Sequence, residues 1–138
     1  MKASEFVNVF ATAMVKGMNK RCGYTTPFEE LERVYNDNYF YIPRIRCNDG
    51  FSISIQVHNG NYCASENGTR QFGFTWREVE WGFPSEEIDG VKYNAEDENN
   101  ITNTVGGYVD INLIDELIEE HGGLNLEETL KGLVYSNE

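Results

Sequence analysis

Three glycine-containing turn signals between short β-prone runs constrain this chain more than any other feature. They lie in the stretch 48–83, at Asn48-Asp49-Gly50, Asn59-Gly60 and Glu66-Asn67-Gly68. Asn-Gly and Asp-Gly pairs suit the positive-φ positions of tight hairpin turns, and the runs between them are rich in aromatic and β-branched residues. The stretch therefore predicts an antiparallel β-meander.

The clearest strand of this meander is predicted over residues 51–57. Its apolar residues alternate strictly with polar ones, so the two sets lie on opposite faces of the strand. The apolar face contains Phe51, Ile53, Ile55 and Val57, and the polar face contains Ser52, Ser54 and Gln56. We expect the first face to pack in a core and the second to be accessible to a ligand.

Two further strands are predicted on either side of it. Residues 39–47 form one, which Pro43 restricts to an edge or bulged position, with Arg44 and Arg46 on the same side. Residues 69–81 form the other, and alternation places Trp76 on one face with Glu78 and Glu80, opposite Arg77, Val79 and Trp81. Because neither face of that strand is purely apolar, we expect a sheet with helices on one face and a cleft or subunit contact on the other.

Helical patterns flank the predicted sheet. Apolar residues recur at helical spacing after Ser4, a capping box begins at Thr26, and Asp110 and Asn125 are typical N-caps of two C-terminal helices. The predicted fold class is α+β, an antiparallel β-meander with N-terminal and C-terminal helices packed on it. At 138 residues the chain has the size of a single domain, 1–138. Within it we predict an N-terminal helical region over residues 1–38, the meander over 39–83, a long loop over 84–109 and acidic helices over 110–138.

The long predicted loop lacks periodicity from Glu86 to Thr104. Loops of this length in a small domain are usually functional or disordered. Four apolar residues along it, Ile88, Val91, Tyr93 and Ile101, favour a packed functional loop. The glycine pair that follows, Gly106-Gly107, opens either one more short strand or a connection into a helix, and it would let the backbone approach a phosphate.

The net charge of −12 is confined to the C-terminal region of the chain. Residues 1–82 contain nine basic and nine acidic side chains, whereas residues 83–138 contain two and fourteen. This charge excludes direct binding to nucleic acid or to an anionic membrane surface. No apolar run is long enough for a membrane helix, and three cysteines without C-x-x-C spacing are typical of a reducing compartment, so we expect a cytoplasmic protein.

Basic residues in the sheet region lie beside aromatic ones. Arginines supply N–H groups for phosphate oxygens and aromatic rings supply a flat face for a base, a combination typical of sites for phosphorylated nucleotides. The arginines are Arg44, Arg46, Arg70 and Arg77. The alternative is that each arginine pairs with a cross-strand Glu such as Glu78 or Glu80. The acidic runs between 86 and 120 are either solvated surface or a phosphate-like array that engages a partner protein.

Catalytic and metal-binding signals are weak. His58 and Cys63 are five residues apart without an assigned acidic partner, and His121 is explained by its place at a helix C-terminus. Phosphate-loop, dinucleotide-binding and paired metal-ligand motifs do not occur in the sequence. We therefore expect no enzymatic activity, catalytic residue, metal or cofactor.

A series of short motifs resembles a group of small proteins from phages and prophages of Firmicutes. They occur in one order within residues 43–123: Asp49-Gly50-Phe51-Ser52, Ser54, Gln56, Tyr62-Cys63, Val79-Glu80-Trp81-Gly82-Phe83-Pro84-Ser85, Tyr93-Asn94-Ala95-Glu96-Asp97, Thr104-Val105, Tyr108-Val109 and His121-Gly122-Gly123. The arrangement resembles the first family of Thoeris anti-defence proteins, which bind cyclic ADP-ribose-type signals without cleaving them. The group tends to continue with Pro and Arg after Tyr-Cys, whereas this chain continues with Ala64-Ser65-Glu66.

The resemblance implies a homo-oligomeric binder of a small nucleotide ligand. It assigns base stacking to Phe83, and it suggests Arg70, Arg77, Asn94 and Gln56 as polar contacts. The implied function is that of a phage counter-defence protein in an infected bacterial host, which sequesters a cyclic nucleotide immune signal. The alternative is an acidic inhibitor that mimics nucleic acid and binds a host defence protein. A third hypothesis, a hydrolase of the same signal, would need a general base that the sequence does not nominate.

Overall fold

The computed structural model describes residues 1–10, 42–57, 63–65 and 76–136. Residues 3–10 are helical and form the described portion of α1. The elements that follow are β1 (Ile45–Arg46), β2 (Ser52–Gln56), β3 (Ala64–Ser65), β4 (Trp76–Gly82), a 3-10 turn (Ile101–Asn103), β5 (Val105–Asp110), α2 (Ile111–Glu120) and α3 (Leu126–Ser136). This order confirms the predicted α+β fold with helices before and after the sheet. The predicted helix beginning at Thr26, the first residues of the strand 39–47 and residues 69–75 lie outside the described residues.

All described strands pair in the antiparallel sense. β1 pairs with β2, and β4 pairs with β5 from Glu78 to Gly82, with a register shift between Val79 and Trp81. Glu78 of β4 lies opposite both Ala64 and Asp110, and Gly82 lies opposite both Ser54 and Val105. β2 and β3 therefore share one edge of β4, while β5 occupies the other. β1 and β2, β3 and β4, and β4 and β5 are neighbours in both sequence and sheet, whereas β2 pairs with β4 and not with β3 among the described strands. The described sheet is antiparallel, as predicted.

The first strand is shorter than predicted. Its ladder with β2 begins at Ile45, opposite Ile53. Ile42, which precedes this strand, is hydrogen-bonded to the side chain of Gln56 instead of to a neighbouring strand. Gln56 Oε1 accepts the Ile42 N–H at 2.8 Å, and Gln56 Nε2 donates to the Ile42 carbonyl at 2.8 Å. The backbone of Ile42 is thereby hydrogen-bonded without a strand ladder.

A β-bulge in β4 contradicts the predicted alternation. Trp76 pairs with Ser65 and Glu78 pairs with Ala64, so Arg77 has no partner in β3. An extra residue of this kind shifts the alternation of the strand. As a result Trp76 is buried together with Val79 and Trp81, and the prediction that it shares a face with Glu78 is wrong.

Helices α1 and α2 cover the apolar face of the sheet in one hydrophobic cluster. The apolar stripe of α2 packs into the core, since Ile111, Ile114, Leu117 and Ile118 are all buried. The predicted cap is also present: Asp110 Oδ1 accepts the backbone N–H of Asn112 at 2.8 Å. Likewise Asn125 Oδ1 accepts the N–H of Glu128 at 3.0 Å at the start of α3.

The N-terminal helix begins before the predicted cap at Ser4. Helical geometry starts at residue 3, and the Ser4 N–H donates to Asp115 Oδ1 of α2 at 2.8 Å. A carboxylate distant in sequence thus satisfies one of the free N–H groups of the first turn. Among the residues that the structure describes, no helix is long and apolar enough to cross a membrane.

Candidate functional site

The most exposed aromatic side chain in the described portion of the chain lies at the end of β4. Phe83 is 51% exposed and its backbone is left-handed, with φ of +50°. Its N–H donates to the Thr104 carbonyl at 3.0 Å, and its carbonyl accepts a hydrogen bond from Arg44 Nη2. Because both backbone groups are fixed, the ring is presented to solvent from a rigid support.

The side chain of Arg44 crosses β2 to reach Phe83. On the way its Nε donates to Ser52 Oγ at 2.8 Å, and its Nη2 donates to the Ser52 carbonyl at 3.2 Å. Burial lowers the pKa of Arg44, and the positive charge of Arg46 lowers it further. Arginine stays charged in proteins despite such a shift. Arg44 therefore brings a cationic group beneath the Phe83 segment.

Ser85 continues the pairing of this segment with β2. Its N–H donates to the Ser52 carbonyl at 2.8 Å, and its Oγ accepts the Ser52 N–H at 2.9 Å. We call Arg44, Arg46, Ser52, Phe83 and Ser85 the Phe83 corner. It combines an aromatic face, guanidinium N–H groups and hydroxyls, which are the groups that stack on a base and hold phosphate oxygens.

The other residues suggested as ligand contacts are dispersed. Asn94 is exposed, and its Nδ2 donates to the Gly107 carbonyl at 3.3 Å, three residues along from the Thr104 partner of Phe83. Arg77 lies at the opposite end of β4 from Phe83, roughly 20 Å away at the rise of a strand.

The other two residues suggested as ligand contacts, Gln56 and Arg70, add no described binding group to the Phe83 corner. The amide of Gln56 bonds to Ile42 and, at 2.9 Å, to Ser54 Oγ. Arg70 lies outside the described residues. The structure thus places Asn94 near the strand that supports Phe83 and leaves Arg77 apart from it.

Three non-glycine residues of the described chain have positive φ: Phe83, Asn94 and Tyr108. Tyr108 belongs to β5. The Phe83 N–H donates to the Thr104 carbonyl, and Asn94 Nδ2 donates to the Gly107 carbonyl, so these two residues are bonded at or next to the same strand. Left-handed backbone is costly for such residues and persists where the surrounding structure enforces it, often at binding sites. Tyr108, 44% exposed, was not singled out from the sequence as a site residue, although the Gly106-Gly107 pair precedes it and Tyr108-Val109 is one of the motifs of the resemblance.

The long loop is packed rather than free, as predicted. Tyr93 and Ile101 are buried, and the buried Trp81 donates from its indole Nε1 to the Tyr93 carbonyl at 2.6 Å. Burial also raises the pKa of Tyr93. The prediction that Val91 anchors the loop is wrong, because its side chain is 72% exposed. The last residues of the predicted loop form strand β5, so the irregular segment ends at Thr104.

Acidic side chains cover the surface of this loop. Exposed carboxylates occur at Glu86, Glu87, Asp89, Glu96, Asp97 and Glu98. A separate open groove of about 570 Å³ is lined by Lys2, Asp115, Glu116, Glu119 and Glu120. The carboxylates of both surfaces repel phosphate, whereas the Phe83 corner contains the two guanidinium groups of Arg44 and Arg46.

His121 and Asp49 form a side-chain hydrogen bond that the sequence did not reveal. His121 Nδ1 lies 2.7 Å from Asp49 Oδ2, and the imidazole stacks on the ring of Phe51 with centroids 3.9 Å apart. The nearby thiol of Cys47 is a poor nucleophile at neutral pH, because burial and the charge of Asp49 raise its pKa to about 11. The pair instead fastens the turn before β2 to the loop after α2. His58 lies outside the described residues.

The described residues contain no group of three or more His, Cys, Asp or Glu side chains placed to hold a metal ion. Comparisons with protein families, curated protein sequences and solved structures found no match for this chain. The candidate site is therefore identified from the structure of this chain. It consists of an exposed Phe83 ring, held by backbone hydrogen bonds, beside the Arg44 guanidinium.

Proposed function

We propose that this chain is a non-catalytic binding protein that sequesters a cyclic nucleotide signal of the cyclic ADP-ribose type. It would act as a phage counter-defence protein in the cytoplasm of an infected bacterium. The observation that carries the proposal is the exposed ring of Phe83, held by backbone hydrogen bonds to Thr104 and from Arg44. A preorganised aromatic face loses little entropy when a base stacks on it.

Sequestration requires affinity and no bond cleavage. The Phe83 corner supplies a stacking face and cationic N–H donors, which bind the two ends of a nucleotide. Base stacking on an aromatic side chain is worth about 1–3 kcal/mol per base, a large share of the affinity of a small ligand. The ligand would thus be held intact, below the concentration at which its receptor responds.

Native mass spectrometry with a panel of cyclic dinucleotides, cyclic trinucleotides and cyclic ADP-ribose isomers tests this proposal. We expect a stoichiometric mass increase with one member, and recovery of the same mass after denaturation. The same spectra count the copies of the chain and so test the predicted homo-oligomer. Recovery of a cleaved ligand would overturn sequestration in favour of hydrolysis.

The Phe83→Ala variant links the result to the site. We expect it to lose binding by about 10- to 100-fold, the factor that corresponds to one lost base stack. Val91→Ala is the matched control, since it also removes an exposed apolar side chain and should bind as the unmodified protein does. Equal binding by Phe83→Ala and Val91→Ala would rule out the Phe83 corner as the site.

A second candidate function is inhibition of a host defence protein by the acidic surface. It is favoured by the exposed carboxylates of a loop that Trp81 and Tyr93 hold in place. A fixed array of carboxylates can imitate the phosphates of a nucleic acid toward a basic partner. Charge reversal by Glu96→Lys with Glu98→Lys would then abolish counter-defence in an infection assay, while Phe83→Ala would be tolerated. The opposite pattern would reject this candidate.

A further inference from the structure

We infer that Arg44 and Arg46 form an anion subsite of the Phe83 corner, which holds the phosphate oxygens of a nucleotide ligand. This inference rests on the proposed function for the identity of the ligand. It assigns the polar contacts to residues other than those that the family resemblance suggested. Four observations support it: the unused donors of both arginines, their position on one face, the lack of a neutralising carboxylate among the described residues, and a nearby hydroxyl.

Arg44 keeps two N–H donors after all its described contacts. A guanidinium carries five N–H groups. One on Nε bonds to Ser52 Oγ, and two on Nη2 bond to the carbonyls of Ser52 and Phe83. The two N–H groups of Nη1 have no acceptor among the described residues. Three hydrogen bonds hold the group in place, and the unused pair remains for a ligand.

Arg46 contributes a second cationic group from the same face of β1. Its backbone bonds to α3, with its N–H donating to Thr129 Oγ1 at 2.9 Å, whereas its exposed side chain makes no hydrogen bond or ion pair within the described residues. Ile45 between them is buried, so the two arginines point away from the core. Arg46 lies opposite Ser52 in the ladder, the residue across which Arg44 extends.

The proximity of the two arginines carries an electrostatic cost that an anion would relieve. Like charges on neighbouring positions of a strand face repel each other, and Arg46 is close enough to lower the pKa of Arg44. The chain has 23 acidic residues, yet none in the described ranges forms an ion pair with either arginine. A phosphate bound here would supply the missing negative charge.

Ser85 adds a neutral donor beside the two arginines. Its Oγ accepts the Ser52 N–H at 2.9 Å, which leaves the hydroxyl hydrogen free to donate to a ligand oxygen. Ser85 follows Phe83 by two residues, and Arg44 bonds directly to the Phe83 carbonyl. A base on the Phe83 ring and a phosphate on the arginines are therefore within the reach of one nucleotide.

The test is a calorimetric titration of the full chain with inorganic pyrophosphate and with ADP. We expect both probes to bind the unmodified protein, ADP more tightly, and both affinities to fall as salt rises. Arg46→Gln should lose about tenfold for both probes, as expected for one charge-assisted hydrogen bond. Lys92→Gln, which removes one positive charge from the long loop, is the matched control and should bind both probes normally.

Phe83→Ala separates this inference from the proposed function. If Phe83→Ala lowers the affinity for ADP but not for pyrophosphate, the anion subsite and the proposed function both stand. If pyrophosphate binding requires Arg46 but ADP binding does not require Phe83, the anion subsite stands and the proposed function fails. If ADP binding requires Phe83 and ignores Arg46, the subsite is rejected alone. Failure of the unmodified protein to bind either probe at millimolar concentration, or equal losses in Arg46→Gln and Lys92→Gln, also rejects the subsite.

The Arg46→Lys variant tests whether Arg46→Gln loses affinity only because it disturbs the structure. It keeps the charge but not the planar fork, so we expect an affinity for pyrophosphate between those of the unmodified protein and Arg46→Gln. Because the Arg46 side chain makes no hydrogen bond or ion pair within the described residues, Arg46→Lys should unfold at the same denaturant concentration as the unmodified protein. Arg46→Gln removes the repulsion with Arg44 and should unfold at the same or a slightly higher concentration. A stability loss that parallels the affinity loss would overturn the assignment.

Discussion

The indole Nε1 of Trp81 donates a 2.6 Å hydrogen bond to the backbone carbonyl of Tyr93 inside the core. Both residues are buried, so neither the donor nor the acceptor has access to water as a substitute partner. This bond joins β4 to the long loop. It thereby fixes the position of Asn94 and of the acidic side chains that follow.

Replacing Trp81 with Phe should destabilise the protein by about 1–3 kcal/mol beyond the loss of ring volume, because the buried Tyr93 carbonyl is left without a donor. Denaturant unfolding measures the effect. Trp76→Phe is the matched control, since Trp76 is also buried but its indole makes no hydrogen bond within the described residues. Equal losses in the two variants would show that the bond to Tyr93 contributes nothing.

Replacing Gly106 with Ala should destabilise the fold by about 1–3 kcal/mol or more, because the added Cβ would overlap three atoms of the Trp81 indole. The displaced ring would also weaken the bond to Tyr93. Gly82→Ala in the paired strand is the control, since its Cβ would meet only Val105 Cγ1, at 3.2 Å. The two thermal midpoints should differ clearly, and a tolerated Gly106→Ala would contradict the close packing.

Replacing Phe83 with Gly should give a protein about 1 kcal/mol more stable than Phe83→Ala, because glycine adopts a φ of +50° without the strain of a Cβ. Both variants should lose ligand binding together with the ring. Chemical denaturation compares the two stabilities. If the alanine variant is as stable as the glycine variant, the backbone at this position is not strained.

Asp49 should make the stability of the fold depend on acid pH. Its pKa is held below the usual range first by the hydrogen bond from the Phe51 N–H, at 2.8 Å, and then by His121. A lowered folded-state pKa gives stability that is complete above the unfolded value of about 4 and is lost as pH falls through the folded value.

The stability difference between the unmodified protein and Asp49→Asn should therefore be constant at neutral pH and shrink below about pH 4. Urea unfolding from pH 7 to pH 3 measures this difference. Asp89→Asn serves as the control, because that carboxylate also caps a turn but has no histidine partner among the described residues. A difference that stays constant down to pH 3 would contradict the role of the Asp49 carboxylate.

Features set by local sequence were predicted well. The caps at Asp110 and Asn125 and the buried apolar face of β2 depend on residues close in the chain. The expectation that the polar face of β2 is accessible is wrong at Ser52, which is only 6% exposed. The family resemblance suggested Phe83 for base stacking, which stays a prediction; the structure places its side chain at the surface, 51% exposed.

Features set by distant contacts were not predicted. The bulge at Arg77 depends on the register with β3, and no residue type in β4 signals it. The path of Arg44 to the Phe83 carbonyl joins residues 39 positions apart, and the bond between Gln56 and Ile42 removes a suggested ligand group from solvent. Strand pattern shows which face a side chain occupies, but it does not show which neighbour the side chain reaches.

The hydrogen bond from Ser4 to Asp115 spans 111 positions of the chain, and that from Asn48 to Gly122 spans 74. During synthesis, the first helix and the first hairpin thus emerge from the ribosome long before their partners exist. Folds that close through such distant contacts form slowly and expose apolar surface meanwhile. Production in a cell would therefore respond to chaperone supply and growth temperature more than the modest length of the chain suggests.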